Sequence, residues 1–573
     1  MTEAAVSLDP ITFEVIRNAL VAATDEMVLT LRRSAYSTNI KTRADFSCAF
    51  FDAELRAVAQ GFTQPVHLGS MVEQVPRAVR EYGAERLGPG DAIMTNDPFL
   101  AGVHLNDISL ISPVYHEGRL YGYVANLAHH VDVGGGAPAS IGAFREVFQE
   151  GVIIPPVRVV AGGELVEDVW KLVLAQIRSK HETGGDLRAQ VAANATGIRR
   201  LGALFDRHGA DTVVRAMEEL LDYTERRTRA ELEQLPHGTY EAEGYVDNDG
   251  YTDERVRLHV RLEVTPNGVV YDLTDSEPQR RAPVNSTFAQ TFSACAYLLK
   301  CLIDPDLPVN DGFYRLLRVE TRPGTIAHAA WPAPVVGGWE TQTRLTDVMF
   351  LALADALPEG VPAGTKAMMC HAGFGGVDPV AGYWCFLETF GGGYGGRFAS
   401  DGPDAVQTHG QNTENAPVEE TERGYPVRVE RLELVEDSEG AGRFRGGLGL
   451  RKDYRFPGGP TTFSILADRD REGPWGLFGG LPGRPADYVL NPDGEARRLG
   501  SKSTLELGPG DVVSYRTCGG GGYGPPRERD PGLVLRDVVE RKVSVERARE
   551  VYRVAVDLAA RRVDEEETRR LRS

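Results

Sequence analysis

The pattern of hydrophobic and polar residues predicts helices in the first part of the chain. Apolar residues recur at helical spacing over residues 11–36, directly after Asp9 and Pro10, which form a typical helix start. Helical spacing returns between residues 164 and 234. Between these helices, apolar, β-branched and aromatic runs predict strands, one of which begins near Asp45. We therefore expect helices and strands to share the first domain.

The second half of the chain is predicted to be rich in strands. Polar and apolar residues alternate from residue 239 to 275, the pattern of antiparallel strands, just after a Leu-Pro-His-Gly sequence at 235–238. Glycine, proline and short apolar runs follow, with one apolar helix expected at 346–357. The last residues, 530–573, are charged and again helical, with Ser544 as a candidate N-cap. A β-rich region is therefore followed by a helical end.

The expected fold class is α+β, in three parts. Residues 1–235 are predicted to form a mixed metal-binding domain of helices and strands, residues 236–526 a β-rich, glycine-rich domain, and residues 527–573 a helical tail. A chain of 573 residues exceeds one typical hydrophobic core. We therefore expect at least two domains that share large interfaces.

The composition narrows the range of partners and compartments. The formal net charge of −19 and the pI near 5.2 argue against binding to nucleic acid or to anionic membranes, because no basic stripe is present. No charge-free apolar run of about 18 residues predicts a membrane span, and residues 1–20 lack the pattern of an export signal. The six cysteines are scattered without a CxxC pair, which favours the reducing cytoplasm as the compartment.

Two apolar runs in the first domain predict a β-hairpin. Residues 108–115 and 120–127 flank a turn-like His-Glu-Gly-Arg sequence. Folding this hairpin brings its open end together, where the chain carries Asp107 and His129. A turn centred on the Glu-Gly pair places His129 opposite Asn106, whereas a three-residue loop places it opposite Asp107, so the sequence leaves the register open.

The open end of this hairpin is a candidate metal site. His104, Asp107 and His129 offer nitrogen and oxygen donors that suit a divalent cation, and a glycine run at 134–136 leaves room for a ligand. A single His or Asp at a strand end is more often a turn residue or a hydrogen-bonded surface residue. However, five of the twelve histidines lie between positions 67 and 130, and this clustering favours a metal site. His67 itself is expected to be structural.

Neither glycine-rich sequence of the second half has the context of a nucleotide site. The GGGYGG sequence at 391–396 matches GxGxxG but leads into a turn rather than a helix, and the GGGGYG sequence at 519–524 leads into two prolines. We therefore expect close backbone packing or turns at both places. The chain has neither a GxxxxGK[ST] loop nor a GxSxG elbow, so any ATP is expected to bind to another chain.

Longer sequences, in order along nearly the whole chain, resemble the hydantoinase B/5-oxoprolinase family. They are NDPFLAGVHLNDISL, NLAHHVDVGGG, FQEGVIIPP, GDLRAQVAAN, THGQNTENAPVEE, RFRGGLGL and TCGGGGYGPPRERDPGLVLRDV. The resemblance implies a subunit that works with a separate or fused hydantoinase A-type ATPase, and thus a hetero-oligomer. Such enzymes open cyclic amides, such as N-methylhydantoin or 5-oxoproline, with hydrolysis of ATP, and their relatives include subunits of acetone and acetophenone carboxylases.

The resemblance also implies a set of metal ligands. They map onto Asp45, His104, Asp107 and His129, and the family's metal is variously zinc, manganese or iron. Beside them, His130 and Asp97 are the candidate catalytic residues.

Asn96, His130 and Asp97 together are candidates for proton transfer or for support of the ligands. The alternative is that the Asn-Asp-Pro sequence at 96–98 is simply a turn.

The sequence thus predicts the metal-binding subunit of an ATP-dependent cyclic amidohydrolase that opens a hydantoin or lactam ring. Two alternatives stay open: a subunit of an ATP-dependent ketone carboxylase, and a non-catalytic scaffold for the ATPase. The sequences at 336–340 and 410–411 depart from the usual family pattern. If these loops line the pocket, the identity of the substrate does not transfer from the family.

Overall fold

The structure is a computed structural model that describes residues 8–61, 63–379 and 382–573. We expected residues 1–20 to lack an export signal. The first seven of them lie outside the described residues. The helices are α1 (Pro10–Ser34), α2 (Thr38–Lys41), α3 (Pro65–Tyr82), α4 (Glu167–Ala175), α5 (Lys180–His208), α6 (Ala210–Leu232), α7 (Phe288–Leu302), α8 (Asp311–Tyr314), α9 (Gly338–Leu353), α10 (Val418–Gly424), α11 (Pro531–Val539), α12 (Val545–Glu550) and α13 (Glu565–Arg572).

The strands belong to several sheets. They are β1 (Phe46–Asp52), β2 (Ala57–Gln60), β3 (Ala92–Thr95), β4 (Asp107–His116), β5 (Arg119–His129), β6 (Val157–Ala161), β7 (Glu164–Leu165), β8 (Gly238–Val246), β9 (Val256–Thr265), β10 (Gly268–Asp272), β11 (Leu317–Glu320), β12 (His371–Asp378), β13 (Gly382–Thr389), β14 (Arg428–Leu434), β15 (Leu450–Arg455), β16 (Thr461–Leu466), β17 (Asp487–Leu490), β18 (Arg497–Arg498), β19 (Lys502–Leu507), β20 (Val512–Arg516), β21 (Val556–Asp557) and β22 (Arg562–Val563).

An antiparallel sheet with the order β2-β1-β5-β4-β3-β6-β7 organises the first part of the chain. Helices α1 and α5 pack on one face of its centre, where Phe50 and Val124 join their core. Helix α3 packs on the other face, against Phe51 and Tyr123. Because both faces are covered, the central strands are buried along nearly their whole length, which explains why they read as continuous apolar runs.

The predicted hairpin is present as β4 and β5, and its register resolves the two alternatives. At the tip, Glu117 and Gly118 both have positive φ angles of 47° and 80°, as in the tight turns that suit a hairpin. A bulge between Val114 and Tyr115 then shifts the pairing by one residue. His129 therefore lies opposite Asp107, the partner predicted for the three-residue loop.

In the second part of the chain, the described residues form three further sheets of four or five strands. The first has the order β11-β10-β9-β8 and packs against α7 and α9. The other two have the orders β13-β12-β16-β19 and β14-β15-β20-β17-β18, and share one apolar core. The predicted strand-rich character of this region is confirmed.

Helix α9 covers the predicted apolar helix but begins and ends earlier, spanning Gly338–Leu353 rather than 346–357. Its first turns carry polar residues, among them Glu340 and Gln342, that are nevertheless buried. A hydrophobic pattern does not register buried polar residues, which explains why the sequence indicated only the second half of the helix.

The two glycine-rich sequences pack on each other, which agrees with the close backbone packing that we expected. A Cβ atom added at Gly393 would lie 2.0 Å from the backbone nitrogen of Gly520, so any larger residue would clash. Gly396 N also donates to Gly521 O at 2.8 Å. The first sequence leads into a turn, and the second leads into Pro525 and a short 3₁₀ turn, so neither is followed directly by an α-helix.

The chain ends in helices, as predicted, and Ser544 caps α12 by accepting a hydrogen bond from Arg547 N at 3.1 Å. The three-part division stays a prediction, since elements also pack across its first boundary: Ser293 Oγ of α7 donates to Val66 O of α3 at 2.5 Å. In the described ranges, no helix is long and apolar enough to cross a membrane.

Candidate metal centre

Three predicted metal ligands meet at the open end of the β4–β5 hairpin. Asp107 is the first residue of β4, His129 is the last residue of β5, and the two are paired. His104 precedes β4, and its carbonyl accepts a hydrogen bond from Asp107 N at 3.0 Å. The turn and the pairing place one potential ligand atom of each residue within 4.8 Å of the others. We call these three residues the hairpin cluster.

The side chains of the hairpin cluster are buried and only partly paired. His104 and Asp107 are fully buried, and His129 is 3% exposed. Asp107 Oδ2, His129 Nε2 and both ring nitrogens of His104 have no hydrogen-bond partner in the described part of the chain. Each unpaired buried polar atom costs about 1–3 kcal/mol. A divalent cation would satisfy several of them at once, so this donor set fits a metal ion.

The hydrogen bond within the hairpin cluster determines which nitrogen of His129 is free. Its Nδ1 lies 3.0 Å from Asp107 Oδ1. Because an ionised carboxylate only accepts hydrogen bonds, Nδ1 carries the hydrogen and Nε2 keeps its lone pair. Metal-binding histidines are commonly oriented in this way through their second nitrogen.

Burial keeps both histidines of the hairpin cluster neutral. It lowers the pKa of His104 to about 3, although the Asp107 carboxylate opposes the change. Burial also lowers the pKa of His129 to about 3, against the opposing charge of Asp45. Neutral imidazoles have a lone pair available for a cation at physiological pH. The two rings therefore do not have to lose a proton before they bind a cation.

Asp45 and His67 adjoin the hairpin cluster. Asp45 directly precedes β1, and its carbonyl accepts a hydrogen bond from His129 N at 3.0 Å. His67 lies in the first turn of α3, with its Nε2 3.8 Å from Asp45 Oδ1 and 3.6 Å from Asp107 Oδ2. The sheet and α3 thus bring together two side chains that are distant in sequence. His67, expected only to be structural, is a neighbour of the candidate ligands.

Two residues from the second half of the chain also lie at this site. His371 begins β12, and its Nδ1 is 3.5 Å from Oε1 of Glu340 in the first turn of α9. After burial and the opposing carboxylates, the proximity of His371 further lowers the pKa of His104 and His129. No local motif marks either residue, because both lie far along the chain from the hairpin. Sequence reasoning therefore missed them.

The candidate catalytic residues are not members of the hairpin cluster, and their side-chain hydrogen bonds go to other residues. His130 follows β5, and its Nε2 lies 3.0 Å from Oε1 of Gln190 on α5, whereas His129 contacts Asp107. This divergence follows from the alternation of side chains along a strand. Asp97 accepts a hydrogen bond from Phe99 N at 2.9 Å and begins a short 3₁₀ turn. The turn alternative thus describes the local structure at Asp97.

Asn96 supports the loop that carries His104. Its Nδ2 donates to the carbonyls of Leu105 and Val152, at 2.7 and 3.0 Å, and its Oδ1 accepts from Ile154 N at 2.7 Å. The amide is fully used in these backbone contacts. They favour support of the ligand loop over proton transfer as the role of Asn96.

Comparisons with known proteins give a consistent picture. The family model described as Hydantoinase B/oxoprolinase matches residues 9–526. The chain is 39% identical to an uncharacterised protein of Methanocaldococcus jannaschii, over 99% of this chain and 100% of that protein. It is 31% identical to the B-type subunit of a putative D-/L-hydantoinase from a Pseudomonas species, over 99% and 98% of the two chains. It is 33% identical to 5-oxoprolinase 1 of Arabidopsis thaliana, over 90% of this chain and 42% of that protein.

Two solved structures have the same fold. The crystal structure of the ATP-dependent caprolactamase from Pseudomonas jessenii aligns with a TM-score of 0.91 at 30% identity, over 99% of this chain and 100% of that chain. A nucleotide-free acetone carboxylase aligns with a TM-score of 0.91 over 98% and 82% of the two chains. Because the identity to acetone carboxylase is 19%, that likeness shows the fold alone.

Proposed function

The chain belongs to the hydantoinase B/oxoprolinase family, and on this premise we propose that it is the metal-binding subunit of an ATP-dependent hydrolase that opens a cyclic amide. The observation that carries the proposal is the buried hairpin cluster, whose unpaired donor atoms fit a divalent cation. Relatives named as a hydantoinase, a 5-oxoprolinase and a caprolactamase support a cyclic amide as the substrate class.

The proposed ligands of a zinc, manganese or iron ion are Asp45, His104, Asp107 and His129. A bound divalent ion supplies Lewis acidity and makes water a better nucleophile at neutral pH. His129 keeps Nε2 free through its hydrogen bond to Asp107. His104 and Asp107 are fully buried, so these proposed ligands are themselves shielded from bulk water.

ATP is proposed to act on a hydantoinase A-type partner subunit. An unactivated amide is a poor electrophile, and ATP-dependent activation of its oxygen creates a better leaving group. The sequence of this chain lacks a phosphate-binding loop for that step. The match to only 42% of Arabidopsis 5-oxoprolinase 1 supports an arrangement in which the remaining length of that protein carries the ATPase part.

The roles of His130 and Asp97 in proton transfer stay predictions. The contact of His130 with Gln190 favours a positioning role, because it connects the end of β5 to α5. Asp97 shapes the turn that precedes the loop of His104. Both residues therefore influence where the ligand loop lies, whatever their part in the reaction.

Reconstitution with a partner tests the proposed function. The isolated chain is expected neither to hydrolyse ATP nor to open a ring, because it has no phosphate-binding loop. Adding a hydantoinase A-type subunit should start both reactions, with release of a linear carboxylate from a hydantoin or lactam. Mass spectrometry of the product and an assay for ADP, across a panel of hydantoins, lactams and ketones, measure the result.

The controls are the partner subunit alone and the same assay with labelled bicarbonate. A hydrolase should leave its product unlabelled and should be indifferent to bicarbonate. ATP turnover by the pure chain would contradict the proposal. So would label fixed into an acid derived from a ketone with no ring opened, which is the result expected of a ketone carboxylase.

A further inference from the structure

Helix α9 begins beside the hairpin cluster. The indole ring of Trp339, in its first turn, lies edge-on to two imidazoles, with centroid distances of 5.9 Å to His67 and 5.6 Å to His104. Trp339 is 1% exposed, and its Nε1 has no hydrogen-bond partner among the described residues. The start of α9 is therefore a wall of the site.

Gln342 lies on the same side of α9 as Trp339, one turn farther along, since residues three apart are neighbours on a helix surface. Its side chain is 1% exposed. Both its Nε2 and its Oε1 lack a hydrogen-bond partner in the part of the chain that the structure describes. About nine in ten buried polar groups are paired in folded proteins. A buried amide with a free donor and a free acceptor therefore indicates a missing ligand.

The segment that faces Gln342 presents a glycine, Gly410, and so no side chain at the point of contact. Gly410 has a φ of +72°, and its carbonyl accepts a hydrogen bond from the backbone nitrogen of Val66, which precedes His67. A Cβ atom added at Gly410 would lie 3.7 Å from Gln342 Nε2 and 3.7 Å from Val66 Cβ, with nothing closer. Gly410 thus lies between Gln342 Nε2 and the residue before His67, and Gln342 Nε2 makes no hydrogen bond to it.

A second amide from this segment points to the same conclusion. Gln411 donates from Nε2 to Met368 O at 3.3 Å, and its Oε1 is buried without a partner among the described residues. The next backbone nitrogen after Met368, that of Met369, donates to the Glu340 carboxylate at 3.0 Å. Helix α9 and residues 410–411 therefore form one polar wall beside the candidate metal ligands. Residues 336–340, which include the start of α9, and residues 410–411 are where the sequence departs from the usual family pattern, and Gln342 follows the first of these segments.

A free carboxamide is the complement of another amide whose N–H and C=O lie on the same side. Small lactam and hydantoin rings hold their amide in this cis arrangement. An open-chain secondary amide is trans, and its cis form is strongly disfavoured. A cis amide can donate to Gln342 Oε1 and accept from Gln342 Nε2 at the same time, whereas a trans amide can make only one of these bonds. A lactone, which lacks the N–H, can only accept.

We propose that Gln342 binds the cis amide of a small ring through this pair of hydrogen bonds and so selects cyclic amides with a free N–H. This inference rests on the proposed function, because it names the group by which that site recognises its substrate. Gln411 offers a further acceptor to a second N–H, such as that of a hydantoin.

Direct binding to the metal-loaded full chain tests the inference without ATP or a partner. The probes are 2-piperidinone, a cis amide, and N-ethylpropanamide, an open-chain amide with the same number of carbons. Ligand-observed NMR or calorimetry should show at least about tenfold tighter binding of 2-piperidinone, which corresponds to about 1.4 kcal/mol. Gln342→Met, of similar shape, should abolish this preference, because 2-piperidinone loses two hydrogen bonds and N-ethylpropanamide loses only one.

The stability of the variant separates recognition from a structural role. Removing an unpaired buried amide should leave the melting temperature of Gln342→Met unchanged or raise it. The matched control is Gln234→Met, the same change at an exposed glutamine, which should keep the preference of the wild type.

Three results would overturn the inference. The first is equal binding of the two probes by the wild type, which ordered water at Gln342 would give. The second is no binding of 2-piperidinone. The third is a preference for 2-piperidinone that persists in Gln342→Met. The two proposals can also fail separately. If the wild type prefers 2-piperidinone but its reconstituted complex opens no ring, the inference is supported and the proposed function fails.

Discussion

Two groups of closely spaced metal-type donors lie in the described part of the chain, and they differ in how their atoms are paired. The first is the hairpin cluster. The second, which we call the acidic cluster, consists of Asp247, Asp468 and Asp470. In the hairpin cluster one carboxylate oxygen and three ring nitrogens are buried without a partner among the described residues, whereas the acidic cluster has no such buried, unpaired carboxylate oxygen among them.

Cations of the chain itself compensate the acidic cluster. Asp468 Oδ1 lies 3.1 Å from Lys502 Nζ, and Asp468 Oδ2 lies 2.5 Å from Arg344 Nη2. Asp247 Oδ2 accepts a hydrogen bond from Arg471 N at 2.9 Å. Burial raises the pKa of Asp468, but the charges of Lys502 and Arg344 lower it overall. This carboxylate is therefore ionised and already paired.

The difference teaches that nearness of donor atoms does not by itself identify a metal site. A buried carboxylate between Lys and Arg side chains has its charge balanced, and a further cation would meet repulsion. The hairpin cluster combines neutral imidazoles with one acid, and its free electron pairs have no internal donor among the described residues. We therefore expect the hairpin cluster, and not the acidic cluster, to bind a cation.

The largest expected effect comes from removing a ligand of the hairpin cluster. His104→Ala or His129→Ala should lower the bound metal to about a tenth or less and ring opening at least about a hundredfold, since even outer-shell changes cost a metal site 10- to 100-fold. The fold should persist, because residues at strand ends contribute little to the core. Elemental analysis, circular dichroism and the reconstituted assay measure these outcomes.

The matched control removes a donor from the acidic cluster. Asp470→Ala deletes one of its carboxylates, which accepts a long hydrogen bond of 3.5 Å from Asn248. Metal content should stay at the level of the wild type. Unchanged metal in both histidine variants, or loss of metal in Asp470→Ala, would reverse the assignment of the two clusters.

A smaller effect, on stability rather than activity, is expected from breaking the acidic cluster. Asp468→Asn removes the carboxylate that pairs with the buried Lys502 and makes the shorter of the two ion pairs of Arg344. Removing one member of a buried ion pair costs about 3–5 kcal/mol. Denaturant unfolding of the full chain should show this loss, while elemental analysis of the folded variant should show unchanged metal. A stable variant that has lost its metal would mean that Asp468 acts as a ligand.

The sequence predicted the part of the site that depends on local structure. His104, Asp107 and His129 lie within or beside one hairpin, so turn residues and strand pattern were enough to bring them together. The register was not predictable, because a bulge between Val114 and Tyr115 shifts the pairing away from the tip. Such a bulge leaves no clear mark in the hydrophobic pattern.

The remaining neighbours of the site depend on contacts between distant parts of the chain. His371 and Gln342 come from elements far along the chain that lie near the hairpin cluster only in the folded molecule. Gln342 was also hidden because α9 begins with buried polar residues, where a hydrophobic pattern is silent. His67 was visible as a histidine, but its role depends on how α3 lies against Asp45 and Asp107.

The smallest expected effect concerns Glu150, a buried acid. Its pairing is intermediate between those of the two clusters, because within the described residues one of its carboxyl oxygens is paired and the other is not. Its Oε1 accepts from the backbone nitrogens of Val335 and Val336 at 2.7 and 2.9 Å, and its Oε2 has no partner among the described residues. Burial raises the pKa of Glu150 from 4.5 to about 8, although the two backbone hydrogen bonds oppose the change. This carboxyl is therefore expected to stay protonated near neutral pH.

The sign of the effect follows from proton binding in the two states. Between pH 4.5 and about 8 the folded protein keeps a proton on Glu150 that the unfolded chain has lost, so stability falls as pH rises through this window. One pKa unit corresponds to about 1.4 kcal/mol, and water penetration reduces the full value, so we expect a loss of about 1–3 kcal/mol.

Glu150→Gln should lack this loss and exceed the wild type in stability above about pH 8. The exposed control Glu164→Gln should follow the wild type in denaturant unfolding at each pH. A parallel pH dependence of Glu150→Gln and wild type would show that Glu150 ionises as an ordinary carboxyl.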